Sequence, residues 1–72
     1  MSIEKYFWDV RHRVEGWLQD GATRDVVFDY LGDLCKRELG KDELTDQERI
    51  ELFQYGINVY RKITGDTGDT DE

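Results

Sequence analysis

Seventy-two residues make one domain, and a domain this short commonly draws extra stability from disulfides, a metal or association. Cys35 is the only cysteine, which excludes an internal disulfide; His12 and Cys35 as the only soft ligands speak against structural zinc, so association is the natural source of buried area. The formal charge of −7, from 17 acids and 10 bases, repels phosphate backbones and anionic membranes, argues against direct nucleic-acid binding and favours a basic protein partner.

The opening stretch MSIEKYFWDVRHR has neither an apolar h-region nor a cleavage site, so it does not read as a signal peptide. No run approaches the roughly 20 apolar residues a bilayer span needs. A lone thiol with no export signal fits a reducing cytoplasm, the expected location.

A first helix is expected from Ser2, as N-cap, to Asp20, with Gly21 ending it. Ile3, Phe7, Val10, Val14 and Trp17 recur at four-three-four-three spacing, one apolar stripe about 120° wide. Trp8 lies about 140° from Ile3, off that stripe, with His12 one turn later on the same side. A tryptophan turned to water is a candidate anchor for a partner, because Trp is enriched at interface hot spots. The plain alternative is a side chain lying over its own helix.

The second helix starts behind Thr23 and ends near Leu39, with Gly40 as the residue after its cap. Val27, Leu31 and Leu34 form its apolar line, widened on one side by Phe28, Cys35 and Leu39. Asp25, Asp29 and Asp33 recur every fourth residue as a column of carboxylates. One turn separates them by roughly 6 Å, close to the phosphate spacing along a nucleic-acid strand, so the column is a candidate acidic mimic face. The plain alternative is a solvated face on which Lys36 and Arg37 pair with the acids.

The third helix has the clearest start, because Thr45-Asp-Gln-Glu48 is a capping box. It should run to about Ile63, with Arg61 and Lys62 in the last turn complementing the helix dipole. It carries two apolar stripes about 120° apart, Ile50–Phe53–Ile57–Tyr60 and Leu52–Tyr55–Val59–Ile63, with Gly56 between them. One stripe suffices to build a domain, and the surplus has to be covered. The second stripe, Leu52, Tyr55, Val59 and Ile63, is therefore assigned to a protein interface, most simply an isologous homodimer. The competing arrangement places helix 3 at the centre, with helices 1 and 2 covering both stripes. Gly56 costs about 1 kcal/mol against alanine, which close approach of another helix would offset.

Residues 65–72, GDTGDTDE, are expected to be a disordered acidic tail lacking the ligand spacing of a calcium loop. The stretch Glu43-Leu-Thr-Asp-Gln-Glu48 resembles the corresponding part of the Hha family, small helical bacterial proteins that bind a nucleoid-structuring protein. That family's Ala-Asp-His-Arg segment in the following helix is absent here, where the chain reads Tyr55-Gly-Ile-Asn-Val-Tyr60, and no site is carried over.

The expected fold is all-α: a compact three-helix domain over residues 1–64, followed by the tail. Catalysis has little support, since His12 and Cys35 lie on regular helices with no third group or oxyanion nest. No metal and no cofactor is expected. The expected function is that of a small non-enzymatic regulatory or adaptor protein acting through protein–protein contact, as a homodimer. Trp8 and the Leu52–Ile63 stripe are its expected contacts. The alternative is an acidic inhibitor of the phage or mobile-element type, blocking a basic host protein through Asp25, Asp29, Asp33 and the tail. A third reading is a structural subunit whose apolar faces are consumed in an assembly.

Overall fold

The computed structural model describes residues 3–65, an all-α domain of three helices with no strand among them. Ser2 and the acidic tail beyond Gly65 lie outside the described residues; in place of the expected Ser2 cap, the residue before the first helix is Ile3, which offers no side-chain cap.

Helix α1 spans Glu4–Gln19. Its end is a Schellman motif: the Ala22 N–H reaches the Trp17 carbonyl and the Gly21 N–H reaches Leu18, each at 3.0 Å. Gly21 takes the left-handed conformation this requires, with φ of 89°. Helix α2 spans Arg24–Asp33, and its Thr23 hydroxyl accepts from the Val26 N–H. It runs directly into a π-helical turn, Leu34–Glu38, so the helical stretch ends where the sequence places it but with a wider final turn. In that turn the Leu39 N–H bonds to Leu34 at 2.9 Å, the i→i+5 pattern. The spacing has a packing reason. An α-helix would set Leu39 about 140° around the axis from Leu34, whereas the i→i+5 turn brings both to one side, and both are buried.

Helix α3 spans Asp46–Thr64. The capping box forms as expected: Thr45 Oγ accepts from the Glu48 N–H at 3.2 Å, and Glu48 accepts from the Thr45 N–H at 2.9 Å. The core collects Val10 and Val14 of α1, Val27 and Leu31 of α2, Leu34, Cys35 and Leu39 around the π turn, and Leu52, Val59 and Tyr60 of α3. Phe7 of α1 stacks on Tyr55 of α3 with ring centroids 4.4 Å apart. Leu31 fills the space at Gly56, where an added Cβ would stand only 2.5 Å from its nearest methyl. Close approach of α2 is therefore what the glycine in α3 permits. Helix α3 thus contacts both other helices, α1 along one side and α2 along the other.

Candidate protein-binding groove

The two helices that meet at Leu31 and Gly56 leave an open groove of about 450 Å³ between them. Phe28, Gly32 and Cys35 contribute from the α2 side, and Ile50 and Phe53 from α3. Phe28 is braced edge-on by Tyr60, at 5.4 Å between centroids, and the Arg24 guanidinium lies 5.5 Å from its ring centroid. Ile50 is 55 % exposed, one of four large apolar side chains, with Trp8, Tyr30 and Ile63, that the core leaves outside, and the one of them that lies in this groove.

Gly32 lies within the groove lining. A Cβ there would touch only Phe53, at an ordinary 3.8 Å, and the backbone is not left-handed. Neither packing nor conformation demands glycine at this helical position, where it costs about 1 kcal/mol against alanine. Its physical consequence is a bare, open lining.

Arg49 closes one end. Its guanidinium donates to the carbonyls of Cys35, Lys36, Leu39, Gly40 and Lys41, at 3.1 Å to Lys36, 3.0 Å to Gly40 and 2.7 Å to Lys41. Cys35 and Lys36 lie in the π turn, among the last carbonyls that a helix end leaves without intrahelical partners, and Leu39, Gly40 and Lys41 follow it; the Gly40 carbonyl also accepts from the Glu43 and Leu44 N–H groups. One cation on α3 thereby ties the end of the second helix to α3 where both line the groove.

The outer edge is charged. Asp29, Asp33 and Lys36 rim the groove, and Asp25 lies one turn before Asp29 on the same exposed column. Asp33 pairs with Arg37 at 3.1 Å, whereas Asp25 and Asp29 have no ion pair among the described residues. Cys35 is buried, and loss of solvation raises its thiol to about 11, with the nearby Arg49 charge pulling weakly the other way. It therefore stays protonated at neutral pH and is a poor nucleophile.

The residues singled out from the sequence fall into three places. Leu52 and Val59 are core side chains, so that part of the stripe assigned to an interface faces inward; the reason is that α1, with Val10 and Val14, needs an apolar surface and takes this one. Leu52 has no exposed surface at all and offers none to a partner. Tyr55 is occupied by Phe7, while Tyr55, Val59 and the half-exposed Ile63 border a smaller cleft of about 160 Å³ with Arg11 and Lys62. Trp8 is 62 % exposed and rests on the His12 ring, with centroids 3.8 Å apart, as its position off the stripe implied. It does not line the α2–α3 groove.

Sequence reasoning missed Phe28, Gly32, Ile50 and Phe53 as a site. The available signals were the second mid-helix glycine and the closeness of the aspartate column to it. Among the described residues no three His, Cys, Asp or Glu side chains gather as metal ligands, and His12, on the α1 surface, does not line the groove that Cys35 borders. Comparison with protein-family models, with curated proteins and with solved structures gives no match.

Proposed function

We propose that this chain is a small non-enzymatic regulatory or adaptor protein that works by binding another protein in the groove between α2 and α3. The observation that carries the reading is the groove itself, about 450 Å³ with the exposed Ile50 on one side and glycine where a helix would favour alanine on the other. Its lining is mostly apolar, with Phe28, Ile50 and Phe53 facing one another across it, whereas the Tyr55–Ile63 cleft is smaller, about 160 Å³, and is flanked by Arg11 and Lys62. The expected homodimer rested on an outward Leu52–Tyr55–Val59–Ile63 stripe, and with Leu52 and Val59 of it buried the groove is the better candidate for the partner surface. The lone, buried thiol fits a reducing cytoplasm. No helix among the described residues is long and apolar enough to cross a membrane.

The nucleic-acid mimic draws support from the unpaired Asp25 and Asp29. Arg37 on Asp33 and Lys36 alongside interrupt the column, so among the described residues it keeps two carboxylates without an ion pair rather than a continuous acidic track.

The test is affinity recovery after cross-linking in the native cell, comparing the wild-type chain with Ile50→Lys and Asp25→Asn/Asp29→Asn. Groove binding predicts one stoichiometric protein partner that Ile50→Lys loses while its circular dichroism stays unchanged. A partner that ignores Ile50→Lys but disappears with the aspartate changes and at high salt is the outcome mimicry predicts, and it rejects the groove.

A further inference from the structure

We infer that the groove's occupant is an amphipathic helix of a partner protein that carries lysine or arginine at two positions one turn apart beside its apolar seam. The inference rests on the protein-binding reading above and names the partner's chemistry.

The shape of the apolar surface comes first. Ile50 and Phe53 line the groove at i and i+3 on α3, and the half-buried Ile57 continues the same face at i+7 beyond its lining, a line about 10 Å long. Phe28 stands across from it on α2, and Gly32 leaves room beside Phe53. A trough between two helices with a ridge at that spacing matches the i, i+3/i+4, i+7 anchors of a helix laid into a groove. An extended strand would instead need an open sheet edge, and the described residues contain no strand.

Charge then selects among helices. Asp25 and Asp29 are exposed, one turn apart, and have no ion pair among the described residues. Two cations spaced four residues apart on the incoming helix would meet them. Lys36 lies at the other end of the same α2 edge, so the cations belong at the Asp25–Asp29 end only. The whole-molecule charge of −7 draws a basic partner in and works against a second copy of the same chain, which brings a further −7 to the contact.

The experiment is a display selection against the full chain, using helical peptides with a fixed apolar seam and flanks randomised among Lys, Arg, Gln and Glu. The expected winners carry two basic residues four apart and bind at about 150 mM salt roughly tenfold tighter than their Glu-for-Lys counterparts. Asp25→Asn/Asp29→Asn should erase that preference, and Gly32→Leu should abolish binding while cooperative unfolding is retained. If Gly32→Leu fails to unfold cooperatively, Ile50→Lys, at an exposed position, serves in its place. Winners with neutral or acidic flanks that still need an open groove overturn the basic helix while sparing the groove. An absence of winners, or winners indifferent to both groove changes, overturns both. A concentration-dependent dimer that Ile50→Lys dissolves puts a second copy in the groove and overturns the basic partner helix.

Discussion

Gly56 shows how much a single missing methyl can decide. Alanine there would gain about 1 kcal/mol of helix propensity. Its Cβ, however, would lie 2.5 and 2.6 Å from the two methyls of Leu31, a side chain with no exposed surface and so little room to retreat. Overpacking of that kind costs about 1–3 kcal/mol. Gly56→Ala should therefore lose about 1 kcal/mol in urea unfolding, where an open site would gain as much. At the same scale, the Tyr6 hydroxyl donates to Glu43 at 2.6 Å and ties α1 to the loop before α3, with Lys5 at 3.7 Å from the same carboxylate. The hydrogen bond from Tyr6, helped by Lys5, lowers the Glu43 carboxyl below its ordinary 4.5; the same bond raises the Tyr6 phenol above 10.0. A lowered carboxyl stabilises fully above pH 4.5 and loses that contribution as pH falls through its folded value. A raised phenol stabilises fully below pH 10.0 and loses its contribution as pH rises through its own. Tyr6→Phe should then be less stable than wild type between those limits and converge on it at both extremes, measured as unfolding midpoint against pH. The Gly56 contact was legible as a close helix approach because glycine is costly in mid-helix. The Tyr6–Glu43 bond was not, since 37 residues separate the partners and no local pattern joins them.

Among the elements, the second helix diverges most from what periodicity implies. Caps and stop signals place its limits well: Thr23 opens it and Gly40 follows it, as read. The change from α to π hydrogen bonding at Leu34 is invisible to a rule that assumes one period throughout, and so is the arginine that makes the ending tenable. No local pattern in the sequence marks Arg49, yet it serves five carbonyls at that end. Arg49→Gln keeps some length and loses the charge and the fork. Charge-assisted hydrogen bonds are worth about 1.5–3 kcal/mol, and several are lost together while water can reach part of the site. The variant should lose about 2–3 kcal/mol, and amide exchange should accelerate through Leu34–Glu38 far more than in α1. Uniform acceleration across all three helices would show that the guanidinium does not act on this turn.

At the scale of the whole molecule, the all-α class and the three helices were legible from stripes and caps, but how far each stripe of α3 is covered was not. Both stripes hold four apolar residues, so periodicity ranks neither, and the choice falls to α1 and α2 packing against α3 from different sides. Covering both sides buries Leu52 and Val59 of one stripe and Tyr60 of the other, and leaves Ile50 outside. The proposed groove depends on that assignment. Its most direct test is urea unfolding of Leu52→Asp and Ile50→Asp side by side. A domain of this size has a total stability on the order of 5 kcal/mol. Leu52→Asp would bury an unpaired carboxylate and should abolish the cooperative transition. Ile50→Asp, at an exposed position, should shift stability by less than about 1 kcal/mol. The reverse order, with Ile50→Asp unfolding the chain and Leu52→Asp tolerated, would turn α3 around and leave the groove without its apolar wall.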